Sequence, residues 1–262
     1  APTLASNDAP CSALSVVYTT EGVQESVEFF ARNPTLVIVD TEVVANADER
    51  YLVAGIGDAM ATWYEAKVCR ANTAAVTPAG ARPTLAAYAM SMICAETLYE
   101  FGEEAIAAVA ESRNNDSLEK VVEANTLLSG IGFESGGLAM AHPLALAYTR
   151  INRVHNNYLH GEIVAISTMA QLALEESTDM HKAARFFARV GLPVHLGQLS
   201  MSPDNLDELD ILAEVTMTNP NAHHMPMKLS HSLIKQSILD AHHVGVKISD
   251  EVGDQAYRRL HH

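Results

Sequence analysis

The chain has 262 residues, of which 48% are hydrophobic and 19% charged, and its formal net charge is −15. That composition builds an ordinary globular core in one large domain or two small ones. The acidity argues against nucleic acid or an anionic membrane as a partner, because both attract basic surfaces. No apolar run reaches the roughly 18 residues that cross a bilayer, and the longest, over 163–174, is interrupted by Ser167, Thr168 and Gln171. Cys11, Cys69 and Cys94 show no paired spacing. They read as packing thiols in a reducing compartment, the cytoplasm.

In chain order, the first ten residues read like the middle of a folded protein, which leads us to expect a further segment before Ala1. Strands are expected over 13–19 and 36–40, β-branched stretches bounded by Pro10, Gly22, Asn33 and Pro34. After Asp40, Ala, Leu, Met and Glu recur at helical spacing. Helices are expected over 48–70, 82–100, 102–112, 117–145, 160–176, 178–190, 205–218, 228–244 and 247–259. The fold expected is mainly α, a multi-helix bundle with a small N-terminal β-ribbon. Residues 1–40 form the ribbon and border a cleft, and 41–262 form the helical domain.

Three strings carry ligand-type residues: Gly55-Ile56-Gly57-Asp58, the run from Gly132 to His142, and His160-Gly161-Glu162. Asp58, His142 and His160 supply one carboxylate and two imidazoles, the ligand types of a catalytic zinc site with an open fourth position. Taken singly, each has an ordinary reading, as a helix cap, an ion-pair partner or a core histidine. Gly130-Ile131-Gly132-Phe133-Glu134-Ser135-Gly136-Gly137 imitates a dinucleotide fingerprint, but it follows a helical run where phosphate cradling needs a strand. Its glycines read instead as points of close helix approach.

Together, in this order and spacing, the three strings resemble those of the glycerol dehydrogenases, the zinc-dependent branch of the iron-containing alcohol dehydrogenase superfamily. The resemblance covers most of the chain. It implies a dehydroquinate-synthase-like α domain, with the ribbon as the remnant of an N-terminal α/β domain. It implies NAD-dependent oxidation of glycerol to dihydroxyacetone in the full-length protein, at a catalytic metal held by Asp58, His142 and His160. Iron-type relatives carry a histidine four residues after the aspartate; Thr62 stands there, which favours zinc. By the same resemblance Thr3, Leu4, Ala5, Ser6, Ser12, Leu14 and Tyr18 border the cofactor, and Asp8 binds a substrate hydroxyl. Phe133 is either a wall of the substrate site or plain core. Glu162 either orients His160 or a neighbouring backbone group, or is an exposed helix-start acid. Asn156 and Asn157 depart from the histidines usual in the family. His223-His224-Met225-Pro226 resembles a family turn and is given no catalytic role. The family's Gly-Gly-Gly-Lys phosphate cradle does not occur in these residues, so the chain alone is expected to turn over poorly. A homo-oligomer is implied by the family as well. Two alternatives stand beside this reading: a dehydrogenase for another small diol or alcohol, and a non-enzymatic helical metal-binding or assembly module.

Overall fold

The structure, a computed structural model, describes residues 1–19 and 24–261. Strand β1 (Leu14–Tyr18) pairs antiparallel with β2 (Gln24–Phe29), with an irregularity between Val17 and Tyr18. The first strand lies where the sequence places it. The second does not: residues 36–40 form no strand, and Leu36 and Ile38 are exposed. β2 alternates Glu25, Val27 and Phe29 with Gln24, Ser26 and Glu28, so that Leu14 faces Phe29 and Val16 faces Val27 across the ribbon. Those cross-strand pairs stabilise a strand whose single residues look polar. Gly22, expected in the intervening turn, lies outside the described residues.

The helices follow: α1 (Thr41–Ala45), α2 (Glu49–Ala71), α3 (Leu85–Ala110), α4 (Asp116–Glu123), α5 (Ser129–Gly136), α6 (Ala141–Tyr148) and α7 (Asn152–Asn157). They continue with α8 (His160–Leu174), α9 (Met180–Val190), α10 (Leu206–Thr218), α11 (His231–Val252) and α12 (Gln255–His261). Side-chain caps fix several starts: Asp48 accepts from Arg50 N–H, Thr84 from Ala87 N–H and Asn115 from Leu118 N–H.

Several helix boundaries differ from those expected from the sequence. The expected pair over 82–100 and 102–112 is one helix, α3, because Gly102 packs under the Phe186 ring instead of breaking the chain. The stretch 117–145 is not continuous: a π-turn over Ala124–Leu128 joins α4 to α5, and Gly137 at φ +98° separates α5 from α6. Residues 152–157 form α7, which has too few apolar residues to show a period. The break near the C-terminus falls at Gly253, φ +90°, rather than near position 245.

Helices α2 and α8 are the centre of the bundle. Both are buried around most of their circumference, α2 from Leu52 to Cys69 and α8 from Gly161 to Leu172, which is how a helix enclosed by others behaves. They touch backbone to backbone. A Cβ at Gly57 would lie 2.3 Å from Gly161 O, and one at Gly161 would lie 1.7 Å from Ala54 O. The ribbon is pegged to the bundle by Glu134 on α5, which accepts from Ala13 N–H at 2.5 Å and from Asn33 Nδ2 at 2.8 Å.

Candidate metal centre

The glycine beside each of two ligand-type residues sets their separation. Gly57 precedes Asp58 on α2, Gly161 follows His160 at the start of α8, and their contact brings those side chains together. His142 arrives from the second position of α6. The Nε2 atoms of His142 and His160 lie 3.4 and 3.3 Å from Asp58 Oδ1. All three donor atoms fall within 4.8 Å of one another. Asp58 is 1% exposed, and its Oδ1 has no hydrogen-bond partner.

That orphaned oxygen tests the fit of an ion. A charge-assisted hydrogen bond would close to about 2.7–2.9 Å. Ligands at roughly 2.0–2.1 Å from a tetrahedral zinc are instead held about 3.3 Å apart. The observed separations match the second case, so the residues present fit a small divalent cation.

Electrostatics lead the same way. Burial alone would raise the Asp58 carboxyl, but the imidazoles of His160 and His142 hold it below the ordinary carboxylate range. Burial works against a charged His142, yet Glu65 and Asp58 raise its pKa well above the usual histidine value. The Asp8 carboxyl is pushed up to about 7, first by burial and then by the charge of Asp58. Three carboxylates, those of Asp8, Asp58 and Glu65, thus crowd around His142 and His160, a setting in which a bound cation would add favourable charge.

Around the triad lies a cleft of about 1320 Å³, lined by Asp58, His142, His160, Asp8, Ser12, Leu14 and Phe133 among others. Asp8 N–H donates to Asp58 Oδ2 at 3.3 Å, and Ser129 Oγ donates to Asp8 Oδ2 at 2.8 Å. Thr62 Oγ1 lies 2.7 Å from Ser129 Oγ. With the Ser129 proton committed to Asp8, Thr62 is the donor of that second bond. A Cβ at Gly130 would sit 2.8 Å from Asp8 O, and one at Gly132 2.7 Å from Thr62 Cγ2, so these glycines let α5 close on the site. Thr3, Leu4, Ala5 and Ser6 are not among the lining residues; Ala5 is buried beneath Gly55, its carbonyl accepting from Asn125 Nδ2 at 3.0 Å. The side chain of Tyr18 lies outside the described residues.

Glu162 is not an exposed helix-start acid. It is fully buried, paired with Arg50 through two bonds of 2.7 and 2.8 Å, and it accepts from Leu159 N–H at 2.8 Å and from His261 Nε2 at 3.0 Å. It anchors the backbone just ahead of His160. Two further residues escaped the sequence reading, Glu65 and Gln171, both 0% exposed and both hydrogen-bonded at the start of α6. The available signal was spacing: Glu65 stands seven residues after Asp58, roughly two turns on and on the same face of α2.

No protein-family profile matches the chain. It is 44% identical over 254 residues, 96% of its length, to a glycerol dehydrogenase of Escherichia coli O6:H1, covering 69% of that protein. The chain belongs to the glycerol dehydrogenase family. A glycolaldehyde reductase of Halobacterium salinarum is similar too, 40% identical over 252 residues. The crystal structure of glycerol dehydrogenase from Schizosaccharomyces pombe superposes with a TM-score of 0.90 at 36% identity, over 96% of this chain and 64% of that one. The chain thus spans about two thirds of the length of these relatives. A sulfoacetaldehyde reductase of Bifidobacterium kashiwanohense in complex with NAD+ shares the fold, with a TM-score of 0.70 at 16% identity. The bundle matches the helical domain of the glycerol dehydrogenase fold, and the family's enzymes are oxidoreductases acting on CH–OH groups.

Proposed function

We propose that the full-length protein is an NAD-dependent glycerol dehydrogenase that converts glycerol to dihydroxyacetone, with zinc held by Asp58, His142 and His160. The observation that carries this reading is the convergence of those three donor atoms on an otherwise unpaired Asp58 Oδ1, beside Asp8, in one cleft. When bound, zinc supplies a Lewis acid that lowers the pKa of a substrate hydroxyl. The chain's own residues do the rest. Asp8, held by Ser129, accepts a hydrogen bond from a second hydroxyl and fixes which carbon faces the nicotinamide. Phe133, 7% exposed, gives the cleft an apolar wall that limits water near the transferred hydride. Ser12 and Leu14, in the cleft lining, border the cofactor's side; Thr3, Leu4, Ala5, Ser6 and Tyr18 back that side in the complete enzyme. Residues 1–40 form the cleft-bordering ribbon unit and 41–262 the metal-binding unit.

A second reading, reduction of a small hydroxyaldehyde at the same centre, is favoured by the similarity to a glycolaldehyde reductase. Assembly into a homo-oligomer belongs to the reading as well; exposed Leu85 and Met92, seven residues apart on α3, offer an apolar stripe for it.

The test uses protein extended to the relatives' full length and loaded with zinc. NADH formation from glycerol should fall about 10–100-fold in kcat/KM for Asp8→Ala, the loss expected for a hydrogen bond to a charged group. Zinc content should be retained in that variant and lost in Asp58→Asn. Full zinc occupancy in Asp58→Asn would remove the proposed centre. Faster turnover of glycolaldehyde than of glycerol would decide for the second reading.

A further inference from the structure

Four consecutive backbone N–H groups lead into α6, and no side chain of α6 itself caps them. Ala139 and His142 donate to Glu65 Oε1 at 2.9 and 3.1 Å. Met140 and Ala141 donate to Gln171 Oε1 at 3.1 and 3.0 Å. Glu65 belongs to α2, and Gln171 belongs to α8, eleven residues after His160. Intervals of seven and eleven residues are close to two and three whole turns, so each acceptor shares a face with the ligand on its own helix. Each helix that delivers one ligand thereby also holds the backbone of the third. Glu65 makes one more contact: its Oε2 lies 2.5 Å from His142 Nδ1, while the opposite ring nitrogen faces Asp58.

We propose that Glu65, with Gln171 as its support, is a positioning residue that holds His142 with Nδ1 protonated and Nε2 free to bind a metal ion. The proposal rests on the metal-centre reading above. An ionised carboxylate only accepts hydrogen bonds, so the shared proton sits on Nδ1 and the lone pair on Nε2. Gln171 cannot turn to present its amide nitrogen instead, because that nitrogen already donates to Glu175 Oε1 at 3.0 Å and reaches Tyr64 O at 3.4 Å. Capping alone accounts for one oxygen of Glu65, since buried N–H groups need acceptors. It does not account for the second oxygen placed on the ring.

Glu65→Gln separates the two roles. Its amide oxygen still serves the N–H groups of Ala139 and His142, while its NH2 must donate to Nδ1 and drives the ring proton onto Nε2. Zinc affinity of the 262-residue chain, read by competition with a chromophoric chelator, should weaken about 10–100-fold while the helical circular dichroism is kept. In wild-type protein labelled with 15N-histidine and loaded with zinc, NMR should show His142 protonated at Nδ1, a measurement that needs no variant. Unchanged zinc affinity in Glu65→Gln, or a zinc-loaded wild type with His142 protonated at Nε2, would overturn the proposal while leaving the metal centre standing. If wild-type chain binds no zinc at all, the metal-centre reading falls and takes this proposal with it. That outcome is recognised by Asp58→Asn behaving like the wild type.

Discussion

At the scale of single residues, the glycines of the ligand strings matter as much as the ligands. Gly161 allows α8 to lie on the carbonyl of Ala54, and a methyl group there would collide with backbone rather than with a movable side chain. Gly161→Ala therefore has only one way to relax, a shift of α8 away from α2. We expect it to cost at least about 3 kcal/mol, the upper part of the range for an overpacked core. The shift also moves His160 from Asp58, so zinc affinity should fall with stability. Urea unfolding and chelator competition on the same preparation check both. Gly80→Ala is the contrast, because the added Cβ has nothing within 4 Å, although its φ of +74° adds local strain. A loss of stability in Gly161→Ala with intact zinc affinity would show that helix contact and ligand geometry are not coupled as described.

At the scale of elements, the long buried helices were legible and the interruptions were not. The apolar content of 48–70 and 160–176 predicts α2 and α8 nearly to their ends, since a helix enclosed by others shows helix-forming residues on every face. β2 was not legible, because its glutamates and glutamine hide a period of two that only pairing with β1 makes favourable. The break at Gly137 was missed because a glycine can either sit in a helix, as Gly102 does, or end one, and tertiary contacts decide between these. The candidate ligands were legible as motifs. Glu65, Gln171 and Arg50 were not, since a polar residue on an apolar helix reads as a solvent-facing position until its partner is known. The Arg50–Glu162 pair ties the start of α8 to α2, and His261 extends the tie to α12. Burial would raise the Glu162 carboxyl, but Arg50, His261 and the Leu159 N–H together hold it below the ordinary value. Glu162→Gln strands the guanidinium, which is about a quarter exposed, and should cost about 2–3 kcal/mol, somewhat less than a fully buried pair. Adding Arg50→Met should recover part of that loss in a double-mutant cycle, and strict additivity would argue against the pair.

At the scale of the whole molecule, positions 58, 142 and 160 join α2, α6 and α8 at a single point. Without a cation, that point concentrates buried negative charge: Asp58 has an unpaired oxygen, Asp8 lies against it, and Glu65 stands behind His142. A divalent cation should bind the folded chain and find no comparable site in the unfolded one, so binding becomes folding stability. Free zinc at a hundred times its dissociation constant adds about 2.7 kcal/mol. For a chain of this size, that corresponds to a rise of roughly 5–10 °C in Tm. We therefore expect a strong chelator to lower the Tm of the 262-residue chain by that amount and zinc to restore it. Asp58→Asn should abolish the response in both directions, and because it also relieves repulsion with Asp8, its chelated form should melt no lower than chelated wild type. Glu65→Gln should need more zinc to reach the same rise, in proportion to its weaker affinity. Differential scanning calorimetry over a zinc titration reads all three proteins on one scale. A Tm independent of zinc in the wild type would mean that the three helices are held by packing alone and that the triad contributes nothing to the fold.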